Sequence, residues 1–495
     1  MRKLSSLTGI RAIAALWVVV FHLRYLFSFG IFNLIIDKGY LGVDFFFVLS
    51  GFIITYVHQK DFTQWPPSMA DFRLVLRFIT LRWARMLPVH YATLTFIVLM
   101  TWLRAVLVHS SFWAYHGLPG NSNDLILNLF NLQGWGIANH NSWNIPSWSI
   151  SSEWFAYLLF PAIALFILKH LKSLSSPLLL ITICFWAYSS FVAVMHLTSI
   201  DWTIHFSLIR VTLEFLIGCG LCIVFKKLPD NPWWSGSLSV LSLLGLLMTF
   251  FFHGSDLIAL FSLTAFVLSL AYSNHGLSKL FSLPPLQYLG EISYSTYMMY
   301  SPLMLLFNSM EFHFHWTQRV PYWVLFLCLI FSQLCLASMM YFGVEKPARN
   351  WLRRHIIDRY LSVLKPKELF ISVNDTDVRG IVKKVALPTL SVVPDTQPLR
   401  LAYSRDKKAK ESIQFASETR LNQLEAPITL PHREEMPSPQ FQQSTSSLSR
   451  INVPMKKKDV DSIAPAFSSW KPFSEEALTY EPFRRISFRP KKTRP

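Results

Sequence analysis

Apolar residues dominate long stretches of this chain and are interrupted only by short polar groups. A helix needs about 20 mostly apolar residues to cross roughly 30 Å of hydrocarbon. Ten segments meet or approach that length: 8–28, 40–59, 87–108, 154–171, 177–197, 204–225, 237–253, 257–272, 290–310 and 321–343. The pattern predicts an all-α integral membrane protein with about ten transmembrane helices. No A-x-A-like site follows the first segment, which is therefore expected to be retained rather than cleaved. Between the segments lie a basic loop at 60–86 and a longer loop at 109–153, rich in Trp, Asn, Ser and His. After 346 a short amphipathic piece (348–364) gives way to sequence without hydrophobic period. Residues 1–350 thus form the membrane domain, and 351–495 a largely disordered basic tail.

Charge sharpens this picture. Only 15% of the 495 residues are charged, against 52% hydrophobic, and the mean hydropathy is +0.34. A soluble domain carries about 25% charged residues, so a cytosolic enzyme, a disulfide scaffold and a nucleic-acid-binding protein are all disfavoured despite the net charge of +17. Lys and Arg in alternate connections divide thirteen to four, an asymmetry that places both termini in the cytoplasm. Residues 346–495 hold 28 of the 46 basic residues, including Lys456-Lys457-Lys458, and the tail could touch anionic lipid. The five cysteines sit in apolar runs and read as small buried hydrophobes.

An ionisable side chain within hydrocarbon costs several kcal/mol and marks a candidate functional site. Here those residues are Arg11, His22, Asp44, Glu153, Arg210, Glu214, Glu291 and Glu345. Arg11 and His22 are eleven residues apart, so they share one face of the first helix about 16 Å apart along its axis. Asp44 and Glu153 are expected at the depth of His22, where either carboxylate could orient the imidazole. Arg210 and Glu214, at i and i+4, suit a structural ion pair. Arg82 and Arg85 lie one turn apart, and paired guanidinium groups suit phosphate oxygens. No Walker A, G-x-S-x-G or H-E-x-x-H motif occurs, and no metal set is expected.

Seven stretches together carry a resemblance. They are Leu7-Thr-Gly-Ile-Arg11 with His22, Gly39-Tyr-Leu-Gly-Val-Asp44 with Ser50-Gly51-Phe52, Arg82-x-x-Arg85-x-x-Pro88, Pro146-Ser-Trp148-Ser149-Ile-Ser151-Ser-Glu153, Arg210-x-x-x-Glu214-Phe215-x-x-Gly218, Leu289-Gly290-Glu291-Ile-Ser293-Tyr294-Ser-Thr-Tyr297, and Val344-Glu345-Lys346-Pro347. In this order the chain resembles the acyltransferase-3 family of bacterial multi-pass membrane O-acyltransferases. The resemblance implies an enzyme of the cytoplasmic (inner) membrane. Its implied reaction moves an acyl group, typically acetyl, from cytoplasmic acyl-CoA to a hydroxyl of a cell-surface carbohydrate such as lipopolysaccharide or exopolysaccharide. Acyl-CoA is then a substrate, with no permanently bound cofactor and no metal. Residues matching Arg11, His22, Arg82 and Arg85 are those implicated in activity. One departure stands out, because the family commonly carries a histidine where this chain has Tyr300.

Residues and resemblance together suggest a working arrangement. Arg11, Arg82 and Arg85 would hold the donor's phosphates, His22 would act as base, and Asp44 or Glu153 would orient it. Trp143 and Trp148 would stack on the acceptor sugar, with Ser149 beside them. A relay through an acyl-histidine is equally compatible. The competing readings are a catalytically silent sensor or scaffold of the same fold, with the tail as its working part, and a transporter.

Overall fold

The structure is a computed structural model and describes residues 4–63, 69–107, 121–252, 254–272, 274–357, 369–371 and 383–385. In chain order the helices are α1 (Ser5–Leu23), α2 (Asn33–Ile36), α3 (Leu41–Thr63), α4 (Met69–Leu107), α5 (Ser122–Leu129), α6 (Ser147–Phe166), α7 (Ser175–Val194), α8 (Ser207–Lys227), α9 (Pro232–Phe251) and α10 (Asp256–Ala271). They continue with α11 (Gly276–Leu280), α12 (Pro284–Glu291), α13 (Ser293–Phe314), α14 (Trp316–Arg319), α15 (Tyr322–Met340) and α16 (Lys346–Leu352). Eight of them, α1, α3, α4, α6, α7, α8, α9 and α15, lie in stretches long and apolar enough to cross a membrane. The 16-residue α10 and the 22-residue α13 stand where the other two segments were expected.

Two boundaries differ from expectation for physical reasons. The basic loop at 60–86 is mostly helix, because α4 runs for 39 residues from Met69 and carries Arg73, Arg77, Arg82 and Arg85 along one rod. Charged residues depress hydropathy without disfavouring helix. Likewise α6 begins at Ser147, not 154. Its serines are polar in sequence yet buried, since each hydroxyl donates to a carbonyl: Ser147 to Asn144, Ser149 to Pro146, Ser151 to Asn131 and Ser152 to Trp148.

The core sits where α1, α3, α6, α8 and α13 meet. There α3 and α8 press backbone to backbone. A Cβ on Gly51 would lie 2.0 Å from the carbonyl oxygen of Phe215, and one on Gly218 would lie 2.0 Å from that of Val48. Small residues of this kind let helices approach where burial from water gives no drive between them. Around this pair, Phe47, Phe160, Phe215 and Tyr157 form a continuous buried cluster. Helices α7, α9 and α15 are peripheral and present large apolar side chains such as Trp186, Leu241 and Phe331 outward.

Between α15 and α16 the chain makes a π-helical turn, Tyr341–Glu345, which turns Glu345 into the protein, where it is 2% exposed. The chain divides into two units, Met1–Lys365 with Tyr480–Pro495, and Pro366–Thr479. Within the second unit the described residues are two short antiparallel strands, β1 (Leu369–Ile371) and β2 (Lys383–Val385). The expected tail disorder and any lipid contact of the tail otherwise lie outside the described residues. Of the cysteines, Cys184, Cys219 and Cys222 are buried as expected. Cys328 and Cys335 are exposed instead, because they lie on peripheral α15.

Candidate active site

Four helices and the start of α1 enclose a cavity of about 290 Å³. Its α3 wall runs from Val43 to Ile54, eleven residues or about 16 Å. At one end stand Arg11 of α1 and Arg82 and Arg85 of α4, opposite Glu153 and Tyr157 of α6. Phe47, Ser149, Ile150 and Tyr297 line it as well. The three guanidinium groups thus line one cavity, and Ser149, expected on the acceptor side, lines the same cavity.

Electrostatics at the arginine end are unbalanced. Among the described residues, no carboxylate comes within 4.0 Å of Arg11, Arg82 or Arg85, while the Nε of Arg82 is buried without a hydrogen-bond partner. The one carboxylate lining the cavity, Glu153, is occupied: Ser50 Oγ donates to its Oε1, and Tyr157 Oη donates to the same oxygen at 2.5 Å. Glu345 lies within electrostatic range of Arg11 and Arg85, and accepts from Ser295 Oγ at 2.7 Å. Three positive groups facing a concave space with one engaged carboxylate make a site for an anion. Tyr294 fixes the α4 side by donating from its hydroxyl to the Met86 carbonyl at 2.5 Å.

His22 occupies the far end of α1, outside the cavity lining, and its surroundings differ from expectation. Its Nδ1 is 2.8 Å from the carbonyl oxygen of Val18. A carbonyl only accepts, so Nδ1 carries the proton and, in the neutral ring, Nε2 is the basic nitrogen. That nitrogen lies 2.9 Å from the hydroxyl of Tyr300, whose ring stacks on the imidazole at 4.1 Å. A main-chain carbonyl, not a carboxylate, therefore sets the tautomer. Tyr300 in turn meets Tyr297 edge-on at 6.1 Å, and Tyr297 lines the cavity. Its hydroxyl is 2.7 Å from Ser149 Oγ and donates to the Pro146 carbonyl at 3.0 Å. Tyr300, which the sequence marked as a departure from the family's histidine, is thus the side-chain partner of His22.

Asp44 and Glu153 do not approach His22. Asp44 takes both of its oxygens to Arg210, from Nε at 2.9 Å and from Nη2 at 2.7 Å, with both side chains fully buried. Glu214 is a weaker third member at 3.8 Å from Arg210 Nε, so the expected Arg210–Glu214 pair is secondary to one with Asp44. Tyr188 donates to Glu214, and Asp201 stands 3.5 Å from Arg210 Nη1. In the connection between α7 and α8, burial pushes the Asp201 carboxyl above its ordinary value, with Arg210 opposing the shift.

The tryptophans are also placed otherwise than expected. Trp143 is fully buried against Leu94, Ile97 and Leu305 and offers no open face. Trp148 packs between the Phe47 edge and the Arg210 guanidinium, 5.4 Å from its ring. Both fill space that a loop reading leaves open. Among the described residues no cluster of three or more His, Cys, Asp or Glu side chains could hold a metal.

A family description, the acyltransferase domain, matches residues 4–342. The chain belongs to this acyltransferase family. It is also similar to curated proteins. The peptidoglycan O-acetyltransferase OatA of Listeria monocytogenes is 25% identical over 422 residues, covering 78% of this chain and 62% of that protein. The putative peptidoglycan O-acetyltransferase YrhL of Bacillus subtilis is 26% identical, over 70% and 55% respectively. The O-acetyltransferase OatA of Staphylococcus aureus is 24% identical, over 70% and 58%. This acyltransferase-family chain thus spans 55% to 62% of the length of these relatives. No solved structure matches it.

Proposed function

We propose that this membrane protein transfers an acetyl group from acyl-CoA to a hydroxyl of a cell-envelope carbohydrate. The observation that carries this reading is the set of three guanidinium groups, without carboxylate partners within 4.0 Å among the described residues, lining one cavity. Membership of the acyltransferase family and the O-acetyltransferase names of its relatives support the acyl chemistry. The basic bias of the Arg11 side supports donor entry from the cytoplasm.

In this account the donor's phosphates rest on Arg11, Arg82 and Arg85. Its thin thiol arm follows the α3 wall, and the thioester comes to lie beside Ser149 and Tyr297. Phe47 and Ile150 also line the cavity and give a short acyl group apolar surface. His22, with Nδ1 fixed by Val18, supplies the base at Nε2. As the acceptor oxygen bonds to the thioester carbonyl carbon, the carbon–sulfur bond breaks. The proton gathered at His22 then neutralises the leaving thiolate. General-base assistance of this kind contributes 10²–10⁴-fold. Tyr297 has to yield for donor and acceptor to meet near His22, since its ring stands between the cavity and Tyr300.

The test is mass spectrometry of envelope glycans, peptidoglycan included, from cells making the intact protein or His22→Ala at equal level. Loss of one acetyl increment in the variant supports the reading. An identical glycan profile contradicts it.

A further inference from the structure

The reading above leaves one conflict at His22. With Nδ1 donating to the Val18 carbonyl, the neutral imidazole has a single lone pair, at Nε2. The hydroxyl of Tyr300, 2.9 Å away, already donates into it. An acceptor hydroxyl cannot also donate to that nitrogen. Tyr300 is 4% exposed and its ring stacks on the imidazole, so the bond is held on two sides. Yet a phenol that donates its one hydrogen keeps its own oxygen lone pairs free to accept. Its ring meets that of Tyr297 edge-on at 6.1 Å, and Tyr297 lines the cavity.

We propose that Tyr300 is a catalytic residue and that His22 acts through it. The acceptor hydroxyl donates to Tyr300 Oη. As the acceptor oxygen attacks the thioester carbonyl, its proton passes to Tyr300 Oη while the proton of Tyr300 passes to His22 Nε2. Tyr300 ends neutral and His22 ends as imidazolium. When the carbon–sulfur bond breaks, the thiolate takes a proton back along the same path, so donor and acceptor give ester and thiol with no net proton change. The relay also shortens the gap between the cavity and the base, because the reacting oxygen need reach only the phenol on α13, not the imidazole on α1. This inference rests on the acyl-transfer reading for its substrates but assigns a step that reading left to His22 alone.

The experiment uses the purified full-length protein in lipid nanodiscs with acetyl-CoA and a soluble oligosaccharide acceptor. It compares wild type, Tyr300→Phe and Tyr300→His, with donor binding measured separately by calorimetry. Phe keeps the ring and its stacking but removes the proton carrier. The expected result is unchanged donor Kd and a fall in kcat of at least about 10²-fold for Phe. His, which both accepts and donates, is expected to recover kcat to within about tenfold of wild type, with an altered pH profile, because an imidazole now relays. A purely structural role for the hydroxyl would not give recovery with a shifted profile. Tyr300→Phe turning over within tenfold of wild type overturns the relay, as does equal loss in both variants with donor binding intact. Failure of wild-type protein to transfer acetyl would instead remove the acyl-transfer reading, and donor binding reports on that reading independently.

Discussion

Asp44 offers the sharpest separation of a structural from a catalytic role. The sequence placed it beside His22, but the structure gives both of its oxygens to Arg210, with neither side chain exposed. Removing one partner of a fully buried pair costs about 3–5 kcal/mol, since the remaining charge stays desolvated. Here Asp201 and Glu214 remain 3.5 and 3.8 Å from Arg210 and recover part of that loss. Asp44→Asn should therefore fall at the low end, about 3 kcal/mol, or a little over 100-fold in the folding equilibrium. Equilibrium unfolding in mixed micelles measures this directly. Arg210→Gln alone should be comparably unstable, and the double variant should lose less than the sum, with a coupling of about 1–3 kcal/mol. Per folded molecule, Asp44→Asn should keep kcat within about tenfold. Wild-type stability combined with a kcat loss beyond 10²-fold would refute the structural assignment.

Two further outcomes follow from packing. Gly51→Ala puts a Cβ 2.0 Å from the Phe215 carbonyl, so α3 and α8 must separate; overpacking of this kind costs about 1–3 kcal/mol, readable as a lowered thermal midpoint in detergent, and an unshifted midpoint would contradict the close crossing. Trp143→Ala should lose about 3–5 kcal/mol of stability while leaving the acceptor KM of the folded fraction unchanged; a raised KM at normal stability would restore the sugar-stacking role.

Helix number and most helix ends were legible because apolar runs of bilayer length have few alternatives in a polar-poor chain. What sequence could not show was pairing across distance. Asp44 meets Arg210, 166 positions further along the chain, and nothing local distinguishes that partner from His22 at similar depth. The orienting partner of His22 is a main-chain carbonyl, which no residue type announces. The serines of α6 and the arginines of α4 misled in a common way, since hydropathy records the side chain's preference for water and not the hydrogen bonds or helix that satisfy it. Trp143 read as a surface aromatic because its loop is polar, whereas its ring closes against Leu94 and Leu305.

The central claim is that Arg11, Arg82 and Arg85 form the anion-binding mouth of the donor cavity. Calorimetric titration of coenzyme A into purified protein in nanodiscs tests it, comparing wild type with Arg11→Gln, Arg82→Gln and Arg85→Gln. A hydrogen bond to a charged group contributes about 1.5–3 kcal/mol, so each variant should weaken binding by roughly tenfold or more, while pantetheine without the nucleotide should bind weakly to all four proteins. Wild-type affinity in all three variants would contradict the account.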